Sequence, residues 1–191
     1  MDKWIDSGIY VPTRHIYIGS AHSDGDLNEA GCDYLMAEMA IKNLHILESV
    51  NKDPITILMN NLGGEINHGF AIYDAIKLCE SHVTIKVFGH AMSAGSIVFQ
   101  AADVRMMSPT SRQMLHYGTM SSDDHAKTFQ KWAKEGEKVD KWMEQMYLAR
   151  MKERNPHFTL ARLQRMLDHD TILTAKESVE YGLADKVIGD D

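Results

Sequence analysis

The sequence predicts an α/β fold built on a largely parallel sheet. Three observations carry this. Short apolar runs alternate along the chain with longer stretches at helical spacing. The run Ile55-Thr56-Ile57-Leu58-Met59 is nearly all apolar, as a strand buried on both faces requires. Strand–helix–strand order repeated in this way implies parallel pairing through right-handed crossovers.

The elements follow in order. Residues 1–13 are irregular and interrupted by Gly8 and Pro12; His15 to Ile18 reads as a strand closed by Gly19. Ser23 to Asp26 is a turn. Leu27 to about Val50 carries Leu35, Met36, Met39, Ala40, Leu44 and Leu47 at helical spacing, and Asn51-Lys52-Asp53-Pro54 stops that helix. After the strand at 55–59, Asn60-Asn61-Leu62-Gly63-Gly64 reads as a glycine-rich turn into a helix from Ile66 to Cys79. Val83 to Phe88 is the next strand. A second turn, Gly89-His90-Ala91-Met92, leads into a buried helix from Ser93 to Ala102. Val104–Met107 and Gln113–Leu115 are short strands. Ser122 to Glu153 is one long helical pattern with a heptad-like seam through Phe129, Trp132, Gly136, Val139, Met143 and Met146. Such a helix is too long for the sheet, so it is expected to project and to meet another subunit. Thr159–Leu167 is a short helix. Thr174-Ala175-Lys176-Glu177 is a capping box that opens a last helix, Gly182 stops it, and Lys186–Ile188 is the final strand.

Composition bounds the function. The chain has 191 residues, of which 44% are hydrophobic and 25% charged, which fits one domain spanning 1–191 with its own core. Its 27 acidic and 20 basic residues leave a net charge of -7, which argues against nucleic acid and against an anionic membrane surface as partners. No apolar run reaches 18 residues, and the first residues lack the apolar stretch of a secretory signal. Cys32 and Cys79 are the only cysteines, both within apolar helical patterns and without C-x-x-C spacing; they read as reduced core thiols in a cytoplasmic setting. The ten histidines show no metal spacing, so neither a zinc site nor another metal is expected. The glycine-rich turns match neither nucleotide-binding fingerprint.

Four places offer chemistry. Ser93 lies between a strand and a helix in Gly89-His90-Ala91-Met92-Ser93-Ala94-Gly95, with small neighbours that leave its oxygen reachable. It reads equally as a nucleophile at a sharp turn and as a helix N-cap. Gly63-Gly64 permits close backbone approach to a ligand; it reads as an oxyanion-binding turn or simply as a tight turn. His116, at the end of an apolar strand, is placed for general-base work or for a structural bond. Asp170, in Asp168-His169-Asp170-Thr171, is either a turn residue or the carboxylate that orients a histidine.

These pieces, in this order, resemble the ClpP family, the proteolytic subunit of the ATP-dependent Clp protease. The resemblance rests on Leu62-Gly63-Gly64, Ala71-Ile72-Tyr73-Asp74, Gly89 to Gly95, Ser111-Arg112-Gln113-Met114-Leu115-His116 and Ala175 to Asp185, and runs from about His15 to Ile188. It implies a crotonase-like, ClpP-type β-α-β spiral with a protruding helical handle at 122–153. It implies Ser93 as nucleophile, His116 as base and Asp170 as the acid that orients it, with backbone N–H groups of Gly64 and Ala94 as the oxyanion hole. It also implies polypeptide substrates, two stacked heptameric rings of this chain, an AAA+ unfoldase as partner, and no cofactor in this subunit. The chain departs from the family pattern at Leu62, His90, Tyr117-Gly118 and the residues flanking Asp170, and its amino terminus is short. Two other readings are a non-catalytic ring subunit and a crotonase-type acyl-CoA enzyme; the latter would use carboxylates, of which Glu65 alone lies near the glycine turn.

Overall fold

Strand pairing organises the molecule and puts three chain segments at one end of a sheet. The computed structural model describes residues 8–20, 31–119 and 125–190. Its elements are β1 (Ile9–Tyr10), β2 (His15–Ile18), α1 (Tyr34–Val50), β3 (Ile55–Asn61), α2 (Ile66–Lys77), β4 (Val83–Met92), α3 (Ala94–Gln100), β5 (Val104–Met107), β6 (Arg112–Leu115), α4 (Ala126–Arg154), α5 (Leu160–Leu167), β7 (Thr171–Thr174), α6 (Ala175–Glu180) and β8 (Lys186–Val187). The strands lie in the order β1-β2-β3-β4-β5-β8, with β6 against β4 and β7 against β6. All pairs are parallel except β1 with β2 and β6 with β7. The predicted α/β class with parallel crossovers is the observed one.

The central strand is where sequence and structure differ most. Residues 89–92 are not a turn but the second half of β4, a ten-residue strand. Its first half pairs with β5, from Thr84↔Val104 to Val87↔Met107, and its second with β6, from His90↔Arg112 to Met92↔Met114. Gly89, at φ 95°, carries the strand across this fork. Its backbone lies so close to Asn60 that a Cβ there would come within 2.5 Å of Asn60 Oδ1. Glycine therefore marks a close approach inside a strand rather than its end.

Other boundaries shift for local reasons. The first helix begins at Tyr34, with Asp33 as its N-cap accepting the Met36 N–H at 2.8 Å. The predicted turn at 23–26 and residues 27–30 of that helix lie outside the described residues. Cys32 is not helical: it forms a parallel bridge with Gly64. Cys79 lies just beyond α2. The long helix runs Ala126–Arg154, and residues 122–124 of the predicted span lie outside the described residues. Strands β1 and β7 were not foreseen. The capping box at Thr174 and Glu177 is present as predicted.

Two apolar cores follow. The larger lies between the sheet (Ile16, Ile57, Ile85) and the helices packed on it (Leu47, Ile72, Phe99). The smaller fastens the second half of α4 to α5 and the β6–β7 pair through Met143, Tyr147, Met151, Leu163, Leu115 and Leu173. Every buried residue of α4 falls at Met143 or later, while Phe129 and Trp132 of its first half are exposed. Among the described residues, no helix is long and apolar enough to cross a membrane.

Candidate active site

The register of β4, β6 and β7 accounts for the meeting of residues 93, 116 and 170. Ser93 follows the last residue of β4, and its N–H extends the ladder to Met114 O at 3.0 Å. His116 follows the last residue of β6. Leu115 pairs with Thr171 in the antiparallel β6–β7 ladder, so Asp170 sits opposite His116. The loop before Asp170 is tied at both ends: Tyr117 N–H donates to Leu167 O at 2.8 Å, and the Thr171 hydroxyl to Met166 O at 2.6 Å.

The three side chains form one hydrogen-bonded chain. His116 Nε2 lies 2.8 Å from Ser93 Oγ, and His116 Nδ1 lies 3.1 Å from Asp170 Oδ1. An ionised carboxylate only accepts, so Nδ1 carries the ring proton and donates to Asp170. That leaves Nε2 as the acceptor for the Ser93 hydroxyl in the neutral imidazole. The Asp170 side chain is 70% exposed and that of His116 24%. Water therefore screens their attraction in the isolated chain, and the carboxylate acts by fixing ring orientation and tautomer more than by raw Coulomb energy.

Ser93 occupies the N-cap position of α3 but its side chain makes no capping bond. Its backbone is at φ 50°, ψ -126°, a region that residues with a Cβ seldom adopt. Such strain persists only where the surroundings enforce it, and here the flanking ladder and helix do. The strained corner lifts Oγ off the helix terminus toward the imidazole. Of the two readings of Ser93, the side-chain cap is the one without a bond.

The glycine turn packs directly behind this corner. Gly63, at φ 102°, leaves no room for a side chain: a Cβ there would come within 2.5 Å of Ser93 Cβ and 2.8 Å of Met92 O. Along the run 62–65 the backbone donors are almost all engaged. Leu62 N–H donates to Ser20 Oγ at 2.9 Å, Gly63 N–H to Asn61 Oδ1 at 2.9 Å, and Glu65 N–H to Cys32 O at 2.8 Å. Gly64 N–H alone in that run has no acceptor among the described residues. Its bridge with Cys32 is formed through the Gly63 carbonyl and the Glu65 N–H, so the N–H of Gly64 itself points away from Cys32. Ala94 is the first residue of α3, so its N–H has no intrahelical acceptor either. Sequence reasoning missed Asn61 and Ser20, whose side chains hold this turn; an Asn two residues before the first glycine of the pair was the available signal.

The family model for Clp protease matches residues 27–191. The chain belongs to the Clp protease family. As a divergent ClpP member, it is 33% identical over 183 residues to the ATP-dependent Clp protease proteolytic subunit 1 of Protochlamydia amoebophila, covering 93% of this chain and 82% of that one. It is 31% identical over 167 residues to the proteolytic subunit 2 of Pseudomonas aeruginosa, covering 83% and 77%. Among solved structures, a ClpP1 mutant from Listeria monocytogenes superposes with a TM-score of 0.77 at 26% identity, covering 94% of each chain. The ClpP-type fold expected from the sequence is thus the fold of this ClpP-family chain.

Next to the site, Tyr117 forms a hydrogen-bonded network with α4 and α5. The Tyr117 hydroxyl donates to Glu144 Oε1 on α4, and Gln164 Nε2 of α5 donates to the same oxygen at 3.0 Å. Burial and the adjoining Glu144 carboxylate push the Tyr117 phenol well above its ordinary value, so it stays a donor. The residue after His116 thereby joins strand end, long helix and α5. Cys32, buried beside Asp33, has its thiol pushed up to about 12, chiefly by burial.

Proposed function

We propose that this chain is a serine endopeptidase subunit, a single peptidase domain over residues 1–191, that cleaves unfolded polypeptides through an acyl-enzyme. The observation that carries the reading is the Ser93–His116–Asp170 chain of hydrogen bonds, 2.8 Å and 3.1 Å long, at adjacent strand ends. His116 Nε2 takes the Ser93 proton as Oγ attacks the scissile carbonyl carbon. The carbonyl π pair moves to oxygen, and the N–H groups of Gly64 and Ala94 receive the charge. As the C–N bond breaks, the imidazolium returns its proton to the leaving amine. Water then attacks the ester by the same route and frees Ser93. Asp170 keeps the imidazole in the tautomer this requires.

The same reading includes assembly into two stacked heptameric rings, with the first half of α4 in the ring–ring contact. Its support is an exposed apolar surface, Phe129 and Trp132, on a half-helix with no buried residue of its own. Enclosure would confine an unselective nucleophile. An AAA+ unfoldase as feeder and a cytoplasmic location complete the proposal, by analogy with relatives whose names describe an ATP-dependent protease. The test is hydrolysis of a fluorogenic peptide by wild type and Ser93→Ala at equal assembled mass. Cleavage is expected only in wild type; equal cleavage by both would place the chemistry elsewhere.

A further inference from the structure

We infer that Asn61 is a positioning residue for the oxyanion-binding backbone, an inference that rests on the serine peptidase reading above. Asn61 is the last residue of β3 and is fully buried. Its amide reaches three separate segments. Nδ2 donates to Gly19 O at 2.6 Å, while Oδ1 accepts the Gly63 N–H at 2.9 Å and the Cys32 S–H at 3.3 Å. The orientation is not interchangeable, because a backbone N–H only donates and a backbone carbonyl only accepts.

The bond to Gly63 closes a two-residue side-chain turn immediately before Gly64. It holds Gly63 in its left-handed conformation against Ser93 and so aims the next N–H. The same oxygen also faces the other half of the hole. A Cβ on Gly95 would lie 2.6 Å from Asn61 Oδ1, so the amide packs against the backbone one residue beyond Ala94. One buried side chain thus bonds to the turn carrying the Gly64 donor and abuts the helix start carrying the Ala94 donor. It sets the gap between the two N–H groups that must converge on one oxygen. Cys32 and Ser20 brace the turn from either side, through Glu65 N–H and Leu62 N–H, away from α3. Asn61 never meets substrate; it acts through the donors it spaces.

The test uses the full chain in its assembled form, with Asn61→Ala and Asn61→Ser, a fluorogenic peptide, a peptide aldehyde inhibitor and fluorophosphonate counting of reactive sites. A misplaced donor costs roughly 10²-fold in turnover. Per labelled site, Asn61→Ala is therefore expected to lose roughly 10²-fold in kcat with KM within about 3-fold. It should bind the aldehyde, whose adduct oxygen occupies the hole, weaker by a similar factor. Asn61→Ser, whose hydroxyl can still accept the Gly63 N–H, should recover roughly 10-fold of that loss. The inference is overturned if kcat per labelled site stays within about 3-fold of wild type, if the loss tracks the number of labelled sites alone, or if serine does no better than alanine. Should Asn61→Ala fail to assemble, Asn61→Ser decides by itself: lower kcat at unchanged KM supports the role, and unchanged kcat removes it. A wild type that neither cleaves nor labels would remove the peptidase reading as well; an active wild type beside unaffected variants removes only the role of Asn61.

Discussion

The strand-end site and the first half of α4 are built on opposite terms. At the site, every segment is held by its own chain: ladder bonds fix Ser93, the β6–β7 register fixes Asp170, and side chains of Ser20 and Asn61 fix the glycine turn. Along residues 126–142, no side chain is buried, and Trp132 is 55% exposed. One region is fastened by bonds within its own chain, and the other leaves apolar side chains exposed. On the proposed function, chemistry rests on the first region and assembly on the second, and substitutions should divide accordingly.

The largest expected effect is at the nucleophile. Ser93→Ala should lower peptide turnover by ~10⁴–10⁶-fold, because members of such a unit are not additive, with assembly unchanged by sedimentation. Gly63→Ala comes next. A methyl there meets Ser93 Cβ at 2.5 Å on a backbone of φ 102°, so a loss of ~1–3 kcal/mol in stability, read by denaturant unfolding, should accompany loss of activity. Paired Phe129→Ala and Trp132→Ala should act in the reverse sense. Assembled mass should fall by native mass spectrometry while the melting of the subunit core changes little, since neither side chain is buried. A collapse of the subunit itself would erase the distinction drawn between the regions.

Smaller effects sharpen it. Tyr117→Phe removes one donor to Glu144 and leaves Gln164 bonded, so roughly 1 kcal/mol of stability should be lost. Cys32 should resist iodoacetamide in the folded chain near neutral pH. Its thiol, pushed up to about 12 by burial, remains protonated there, and only the thiolate is alkylated. Mass spectrometry after brief treatment reads this directly.

Much of the fold was legible because its signals are local. The nearly all-apolar run at 55–59, the alternating β-branched run at 83–88, helical spacing in 66–77 and the capping box at 174–177 each need only their own residues. What was not legible depends on pairing. The segment 89–92 looks like a turn because it contains Gly89, but β6 supplies a partner that keeps it extended. Strand β7 has four residues and exists through its ladder with β6. Cys32 sits in an apolar pattern yet is drawn out of helix by bonding to the glycine turn. The site was legible as ordered motifs, not as geometry. Ser93, His116 and Asp170 are far apart along the chain, and only register brings them together. Asn61 carried no message from the sequence beyond its place in a turn, since its three partners come from three segments.

The most direct measurement is to treat the assembled protein with a fluorophosphonate and locate the adduct by peptide mass spectrometry, for wild type and His116→Ala together. The account predicts a single adduct on the Ser93 hydroxyl in wild type, with labelling at least ~10²-fold slower in His116→Ala because the base is gone. An adduct on another residue, or equal rates in the two proteins, would contradict it.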